Sequence, residues 1–548
     1  MGTTEWIAST ALAAALVYTF PQYLTTDRVS RTVLRFLVVD VSLFWFWRMF
    51  IYPFFFSPLR NLPGPTNYNF IWGNASAQFT KPPSAEIATF VHSIPNDGLL
   101  RLRSFGNIER LVPTSPQVLK TILSDNSYDF EKPYGVRKFL TLILGEGPIM
   151  SEGSLHKFQR KHLLPAFQVK NIRELYPVFW SKALGLVQGI SQEITETSTV
   201  EKHNEACVEF NDWATRVTLD VIGMAAMGRD FGALRNPDDP LVRDYNELLE
   251  PTLGKGLYFA ANIFGPQDLI QKLPIRYSRI IAETTGNLRN FCLEVIQEKR
   301  QAVREGKTAD GMDILSILVR SNDFSDQDLV DQLLTFLAAG HETTSSALTW
   351  AIYLLAIHPE WQAKLREEIH AAIPSPRDPY SPQPDHTIID SLPLLNATTQ
   401  ETLRLYPTVP LSVRTSTRPT SISLPNSSTA LPVPLGTRML ISPLAINRST
   451  ELWGPKADEW SPERWLQEGQ WNTGGAVSNY ANMTFFHGER SCIGKGFAMS
   501  EFRCLLAGVV GGLEWEMENK EEVVRVGGVV TTKPVGGMRV RMKVVEGW

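Results

Sequence analysis

The chain has 548 residues, of which 43% are hydrophobic and 20% charged, and its formal net charge is -4. This composition is typical of a globular protein, and it gives no overall electrostatic reason to bind nucleic acid. Only four cysteines occur, with no CxxC pair, which argues against a disulfide scaffold and favours a reducing compartment for the folded part.

The amino-terminal residues 6–24 carry no charged side chain. A helix of that length, at about 1.5 Å per residue, can cross the roughly 30 Å hydrocarbon core of a bilayer. A cleaved signal peptide is the alternative, but Glu5 is the only charged residue before the apolar run, so the basic leading region is missing. Three arginines follow the run, and the positive-inside tendency keeps them cytosolic. We therefore expect a single-pass anchor with its amino terminus in the lumen.

A second apolar stretch, residues 36–56, contains Asp40 and Arg48 and ends in aromatic residues around Pro53. Charges inside a membrane span are costly. We favour a segment at the membrane interface, with a second crossing as the alternative. Residues 1–56 are thus predicted to be the membrane-associated part. Residues 57–548, which show no linker, repeat or low-complexity tract, are predicted to form one catalytic domain.

The catalytic part is predicted to be mainly helical with small β-sheets. Helical periodicity covers residues 326–355 and 359–372, and alternating patterns indicate strands within 99–112, 421–441 and 523–545. The last region contains two alternating runs around Lys533-Pro534 and Gly536-Gly537, which indicates a hairpin. Residues 62–65, Leu-Pro-Gly-Pro, form a breaker that cannot continue a helix.

The long predicted helix contains the segment AAGHETTSS. Ala339 and Gly340 place minimal side chains where a flat ligand could press against the helix. The hydroxyls of Thr343 and Thr344 can hydrogen-bond a backbone carbonyl and widen the turn. A local groove is expected, and an ordinary buried helix with small residues is the alternative.

Downstream, Glu401 and Arg404 place a carboxylate and a guanidinium three residues apart on one helix face. Surface ion pairs at this spacing are common and are worth less than about 1 kcal/mol. The pair alone is therefore a weak signal.

Residues 485–498, FFHGERSCIGKGFA, surround Cys492 with glycines and one arginine. Gly488 and Gly494 remove side chains where the backbone must turn tightly and approach a large planar group. Backbone N–H groups can donate to a thiolate, and Arg490 can form charge-assisted bonds to a carboxylate such as a haem propionate. A helix is predicted to follow, and its positive end lowers a thiol pKa. Cys492 is thus predicted to be a metal ligand, with a small core cysteine as the alternative.

This loop resembles the cysteine-ligand loop of the cytochrome P-450 family. The family pattern of Phe, Gly, Arg, Cys and Gly is matched at Phe485, Gly488, Arg490, Cys492 and Gly494. The AAGHETTSS helix is similar to the oxygen-binding helix of the family, which implies that Glu342 and Thr343 deliver protons and that Ala339 and Gly340 lie against the haem.

Three further segments carry the resemblance. Residues 462–465, PERW, are similar to the family segment whose arginine completes a Glu-Arg-Arg network, which implies a structural role for Glu401, Arg404 and Arg464. Residues 153–167 look like the helix that grips the haem propionates, with Arg160 at the position of its arginine. His156 replaces the usual tryptophan, and its charge is expected to titrate near neutral pH.

Arg414 stands at the place of another propionate partner, with a solvated strand arginine as the alternative. Residues 62–65 resemble the proline-rich hinge of microsomal members. Positions relative to the motifs imply the substrate-facing residues, which are Phe336, Val409, Leu411, Val530 and Thr531.

The resemblance covers roughly residues 60–548. It implies the cytochrome P-450 fold, a triangular helical prism with small sheets behind an N-terminal membrane anchor, and haem b with the Cys492 thiolate as axial ligand. The implied reaction is monooxygenation, in which one atom of dioxygen enters an apolar substrate and the other leaves as water. Two electrons would come from NADPH through a membrane-bound NADPH-cytochrome reductase.

The HKFQRK segment and the aromatic anchor are similar to fungal microsomal members. This implies the endoplasmic reticulum membrane, a cytosolic catalytic domain, and a secondary metabolite such as a terpenoid or polyketide intermediate as substrate. Two alternatives stay open: an enzyme that catalyses rearrangement or coupling without a proton relay, and a haem sensor or electron carrier.

Overall fold

The computed structural model describes residues 3–548 except 26–28, 79, 81, 83, 198–204, 237–252, 274, 307–312, 379, 522 and 529. The chain divides into two compact units. The first contains Met1–Thr80, Ser84–Glu131 and Leu411–Ala445, and the second contains Lys81–Pro83, Lys132–Pro410 and Ile446–Trp548. Residues 1–56 therefore share a unit with segments from later in the chain.

Helices dominate the described residues, as the periodicity predicts. In chain order their bounds are α1 Thr3–Thr19, α2 Pro21–Leu24, α3 Val29–Phe46, α4 Ala85–Ser93, α5 Pro116–Lys120, α6 Tyr134–Leu144, α7 Gly153–Leu163, α8 Val169–Arg173, α9 Tyr176–Thr197, α10 Phe210–Ile222, α11 Leu253–Phe264, α12 Gln267–Lys272, α13 Arg276–Arg304, α14 Ile314–Ser321, α15 Asp326–Ile357, α16 Pro359–Ala372, α17 His386–Ile389, α18 Pro393–Leu405, α19 Pro443–Ile446, α20 Thr450–Trp453 and α21 Lys495–Gly512.

The strands are short and form small sheets. Their bounds are β1 Leu99–Arg103, β2 Glu109–Pro113, β3 Phe130–Glu131, β4 Glu205–Glu209, β5 Ser412–Ser416, β6 Thr420–Ile422, β7 Leu431–Val433, β8 Arg438–Ile441, β9 Leu513–Met517, β10 Val526–Gly527, β11 Lys533–Pro534 and β12 Arg539–Val544. The first unit holds a five-stranded sheet in the order β1-β2-β8-β5-β3 and the pair β6-β7. The second unit holds the sheet β4-β12-β9 and the pair β10-β11.

The amino-terminal helices differ from the prediction. The uninterrupted helix over residues 6–24 is wrong, because α1 ends at Thr19 and Pro21 begins α2. A proline has no N–H to continue the ladder, and its ring clashes with the preceding turn. No helix in the described part of the chain is both long and apolar enough to cross a membrane.

Helices α1 and α3 of the first unit pack against each other. The Trp6 and Phe44 rings stack with their centroids 5.1 Å apart. The Ser9 hydroxyl donates to Asp40 Oδ1 at 3.2 Å, and Asp40 is only 3% exposed. A carboxylate that looked costly in the sequence therefore has a partner on the facing helix.

The breaker at residues 62–65 lies outside any helix, as predicted. Pro63 accepts a backbone hydrogen bond from Arg101 N at 2.8 Å. A Cβ on Gly64 would lie 2.0 Å from the Arg101 carbonyl oxygen, so only glycine fits against β1 there.

The core of the second unit lies where α9, α10, α15 and α21 meet. Trp180, Trp350 and Phe502 are fully buried within it. Helices α9 and α21 come so close that a Cβ on Gly508 would lie 2.9 Å from the Cβ of Ala183. The sequence places α15 correctly to within two residues, and a capping box of Ser325 and Asp328 fixes its start.

The carboxyl-terminal hairpin is present but shifted. Strand β10 pairs with β11, with Val526 opposite Pro534 and Gly527 opposite Lys533. The turn therefore precedes Lys533 instead of following it. Gly536 and Gly537, with φ of +90° and +87°, lead into β12, which pairs with β9 and not with β10. Residues 530–532, called the terminal turn below, carry two of the predicted substrate-facing side chains.

Candidate active site

The loop around Cys492 turns tightly before α21. Gly488 adopts a φ of +74°, a conformation that favours glycine. The Cys492 N–H donates to the Phe485 carbonyl at 2.9 Å. Helix α21 begins at Lys495 with Gly494 as its N-cap residue. The sulfur thus lies just before the positive end of a long helix, as the sequence predicts.

Phe486 is a strained residue in this loop that sequence reasoning missed. Its φ is +54°, in the left-handed region that a bulky side chain rarely occupies. Backbone strain of this kind costs on the order of 1–3 kcal/mol and persists only when the surrounding structure holds it.

Cys492 itself is exposed, yet desolvation by the surrounding protein raises the pKa of its thiol. The Gly494 N–H and the charges of Arg160 and Lys495 oppose this rise without cancelling it. The prediction of a lowered pKa is therefore wrong for the protein alone, because desolvation outweighs the helix end. A bound metal deprotonates a coordinating thiol outright.

Two arginines give the cysteine side of this site positive charge. Arg160 of α7 donates to the Ser491 carbonyl at 2.6 Å and to its hydroxyl at 3.1 Å, one residue before Cys492. Arg490 forms an ion pair with Glu152, which also lies 3.6 Å from Lys132 Nζ. The structure therefore brings Arg160 and Arg490 together beside Cys492.

His156 of α7 lies in the same basic environment and is 2% exposed. Desolvation, followed by the positive charges of Arg490 and Lys132, lowers its pKa to about 4. The expectation that it titrates near neutral pH is wrong, because an imidazolium would be buried beside several cations.

These residues fit a haem. Among the described residues no group of three or more His, Cys, Asp or Glu side chains could hold a metal ion. A metal on Cys492 would need its other ligands from a cofactor, as a porphyrin supplies them. A Cβ at Gly494 would come no closer than 3.9 Å to the Phe167 ring and 4.0 Å to Cys492 Sγ, so the surface beside the sulfur is open. The neighbouring guanidinium groups suit the carboxylates of such a group.

The hydrogen bond predicted from Thr343 to a backbone carbonyl of α15 is present. Thr343 Oγ1 donates to the Ala339 carbonyl at 2.7 Å. Gly340 serves packing, since a Cβ there would lie 2.6 Å from Ile222 Cδ1 of α10. The ring of Phe336 is 6% exposed and packs edge-on against Phe167, 5.5 Å between centroids, which places it in the core.

Glu342 has partners that sequence reasoning missed. Its Oε1 lies 3.1 Å from Lys533 Nζ, and its Oε2 accepts from Thr531 Oγ1 at 3.4 Å. Thr531 is 5% exposed, whereas Val530 is 60% exposed. Val409, predicted to face substrate, is half-buried.

Glu501 of α21 is a second residue that sequence reasoning missed. It is 1% exposed, and desolvation raises the pKa of its carboxyl well above the ordinary value, with the nearby Thr344 of α15 opposing the rise. A buried carboxyl group whose pKa is raised thus lies between α21, which follows Cys492, and α15, which carries Thr343. An acidic residue inside the apolar sequence AMSEFRCLL was the available signal.

The structure brings Glu401, Arg404 and Arg464 together in the interior. Arg404 donates from Nε and Nη2 to the two Glu401 oxygens, both at 2.8 Å, and Arg464 Nε donates to Oε1 at 3.1 Å. Trp465 Nε1, missed from the sequence, donates to Oε2 at 2.9 Å. Glu401 and Arg404 have no exposed surface.

Helix α18, which carries Glu401 and Arg404, also positions the cysteine loop. The Thr484 hydroxyl donates to the Leu403 carbonyl of α18 at 2.7 Å. Thr484 directly precedes Phe485, whose carbonyl accepts from Cys492 N. A short chain of hydrogen bonds therefore runs from α18 to the backbone of Cys492.

Two predicted residues belong to the first unit. Arg414 of β5 is 6% exposed and donates from Nη1 to Ser412 Oγ at 2.8 Å and to the Val413 carbonyl at 3.0 Å, so the solvated arginine is wrong. Leu411 packs against the apolar cluster of that unit. The haem and substrate contacts of this pair stay predictions.

Comparison with known proteins agrees with this site. A sequence model of the family described as Cytochrome P450 matches residues 99–537. Cytochrome P450 monooxygenase sphH of Aspergillus fumigatus is 40% identical over 506 residues, which cover 92% of this chain and 91% of that protein. Cytochrome P450 monooxygenase buaD of Petromyces alliaceus is 35% identical over 546 residues, with 97% of each chain covered. The matches therefore include both Glu342 and Cys492.

Proposed function

The chain belongs to the cytochrome P450 family and is a haem monooxygenase, and from this premise we propose that it oxygenates an apolar fungal secondary metabolite, such as a terpenoid or polyketide intermediate. The relatives named above are fungal proteins, which supports the proposal. The observation that carries the reaction type is the placement of Cys492 immediately before α21, beside Arg160 and Arg490.

The residues of the site have separable roles in this proposal. Cys492 holds the iron, and Arg160 and Arg490 balance the charge of the propionates. When bound, haem supplies the activation of dioxygen, which no amino-acid side chain can provide. Thr343 and Glu342 hold and move protons on the α15 side. Glu401, Arg404 and Arg464 keep the cysteine loop in place.

We further propose that electrons come from NADPH through a membrane-bound reductase. Exposed lysines that flank α7 and the cysteine loop, Lys157, Lys161 and Lys495, give an acidic donor a basic surface to approach. The chain is proposed to reside on the endoplasmic reticulum membrane with its catalytic part in the cytosol. Large apolar side chains that stay exposed on α1 and α3 support this, among them Ile7, Leu34 and Val38 at 68%, 61% and 57%.

The ligand assignment is tested by the reduced, carbon monoxide-bound spectrum. We expect the red-shifted Soret band of a thiolate-bound haem in the parent and its loss in Cys492→Ala. Cys207→Ala removes another accessible cysteine, one that lies on β4, and is the matched control that should keep the band. A Cys492→Ala protein that retains the band contradicts the assignment.

The substrate class is tested by co-expression with a fungal reductase and comparison of metabolite profiles against the Cys492→Ala strain. We expect a terpenoid or polyketide product that is heavier by one oxygen atom in the parent only. Products of unchanged oxygen content would favour rearrangement or coupling instead.

A further inference from the structure

Three consecutive residues contact one face of α15, namely Thr531 and Thr532 of the terminal turn and Lys533, which begins β11. Lys533 Nζ lies 3.1 Å from Glu342 Oε1. The Ser346 hydroxyl donates to the Thr532 carbonyl, and Trp350 Nε1 donates to Thr532 Oγ1 at 3.2 Å. Glu342, Ser346 and Trp350 are spaced by four residues, so they form one stripe along the helix.

The turn is also fixed from its other side. Thr532 N donates to the Thr408 carbonyl at 2.9 Å, one residue before Val409. Thr532 is 2% exposed, and Thr408 is 6% exposed. The backbone at Thr532 is thus held between α15 and the segment after α18, while Val530 stays exposed. One end of the terminal turn, at Thr532, is therefore held by hydrogen bonds, whereas the side chain at its other end, Val530, is exposed.

The charge of Glu342 is met by Lys533. Glu342 retains 14% of its side-chain exposure and Lys533 retains 29%, so the pair is partly desolvated. The adjacent His341 is 1% exposed, and desolvation, with the Lys533 charge second, lowers its pKa to about 3. His341 is therefore neutral at pH 7 and offers Glu342 no competing positive charge.

We propose that Lys533, directly after the terminal turn, is a positioning residue that holds the Glu342 carboxylate beside this turn, so that the conformation of the turn controls how Glu342 delivers protons. The inference rests on the monooxygenase function and on the proton role of Glu342. A substrate that displaces Val530 or Thr531 loosens the pair and frees the carboxylate. Without substrate, the pair suppresses the wasteful reaction of NADPH, a proton and dioxygen to NADP+ and hydrogen peroxide.

The first test measures the pair without turnover. Amide hydrogen exchange of peptides that cover residues 530–534 is compared in the full-length, haem-loaded parent, Lys533→Met and Lys533→Arg. Loss of a partly buried pair should speed exchange about threefold to fivefold in Lys533→Met, whereas Lys533→Arg should stay near the parent. Lys520→Met, which breaks the exposed pair with Glu516, is the matched control.

A double mutant isolates the partner. In a Glu342→Gln background, Lys533→Met should cause no further increase in exchange, because the interaction is already gone. An undiminished increase in that background, or Lys533→Met that exchanges like Lys520→Met, overturns the proposed pair.

The second test measures control of proton delivery. The variants are supplied with reductase and NADPH but no substrate, and NADPH consumption and hydrogen peroxide are followed together. We expect Lys533→Met to consume NADPH and form peroxide at least about threefold faster than the parent, with Lys533→Arg restoring the parent rate. Faster exchange with unchanged peroxide formation would make Lys533 a structural residue only. The carbon monoxide spectrum checks the haem site separately, so a failure here does not disturb the ligand assignment.

Discussion

His341 is the residue at which burial has the clearest consequence for pH dependence. Its pKa of about 3 lies below the ordinary histidine value, because desolvation, and then Lys533, disfavour the imidazolium. Between that pKa and about 6.5 the unfolded chain binds the extra proton, so folding stability falls as the pH drops through this window.

We expect this histidine to cost the parent about 2 kcal/mol of stability between pH 7 and pH 5. His341→Gln should show a smaller loss, measured by urea denaturation at the two pH values. His156 acts in the same direction and is retained, so part of the loss remains. His358→Gln, on a partly exposed histidine beside Glu360, is the control. An identical loss in parent and His341→Gln would contradict the buried neutral imidazole.

Thr343 carries the second prediction at this scale. Its hydroxyl bonds the Ala339 carbonyl at 2.7 Å, and Thr349 makes the same type of bond to Ser345 at 2.8 Å further along α15. We expect Thr343→Ala to keep the haem spectrum but raise peroxide per NADPH, because general acid–base positioning is worth about a hundredfold or more in rate. Product, peroxide and NADPH are measured together once a substrate is known.

Thr349→Ala controls for the loss of a backbone-directed hydroxyl from the same helix. Thr349→Ala should couple NADPH consumption to product formation as well as the parent does. If both variants couple equally well, Thr343 has no part in proton delivery and a relay-independent mechanism gains support.

At the scale of elements, the buried network ties α18 to the cysteine loop. Removing Glu401 leaves Arg404 and Arg464 without their carboxylate in the interior, a loss on the order of 3–5 kcal/mol. We therefore expect Glu401→Ala to melt earlier and to fail to retain haem, measured by thermal unfolding and by the carbon monoxide spectrum.

Glu459→Ala provides the matched comparison, because Glu459 pairs with Lys456 at the same three-residue spacing but with 63% of its side chain exposed. It should change stability by less than about 1 kcal/mol. Equal melting of the Glu401→Ala and Glu459→Ala proteins would mean that burial adds nothing to the network.

Local patterns were enough to predict the elements that local physics determines. The capping box and helical period of α15, the glycine turn before Cys492 and the breaker at residues 62–65 are each specified within a few residues. The break at Pro21 has a local signature as well, because a proline ends a helix even within an apolar run. The Lys533–Glu342 pair could not be predicted, because its members are 191 residues apart and neither has a local signature.

At the scale of the whole molecule, the segment proposed to associate with the membrane also packs against the first unit's sheet. Arg101 Nη1 donates to the Pro53 carbonyl at 3.4 Å, and a Cβ on Gly106 would lie 2.6 Å from the Met49 side chain. The segment Trp47–Phe56 therefore packs against the β1-β2 region, whereas α1 and α3 expose large apolar side chains. We therefore predict that residues 1–46 serve membrane attachment, whereas residues from 47 onward contribute to the folding of the first unit.

Two truncations test this separation. Deletion of residues 1–46 removes α1, α2 and α3 but keeps Met49 and Pro53, whereas deletion of residues 1–56 removes these contacts as well. We expect both proteins to bind membranes more weakly and to keep haem, since no residue of the candidate active site is lost. The free energy of unfolding should be lower by about 1–3 kcal/mol in the longer deletion, because Arg101 loses an acceptor and packing around Gly106 is removed.

Membrane association is measured after high-salt and carbonate washing, haem by the carbon monoxide spectrum and stability by thermal unfolding. Quantitative recovery of either truncated protein in the washed membranes would show that attachment lies elsewhere, and equal melting would show that Trp47–Phe56 contributes nothing to the fold.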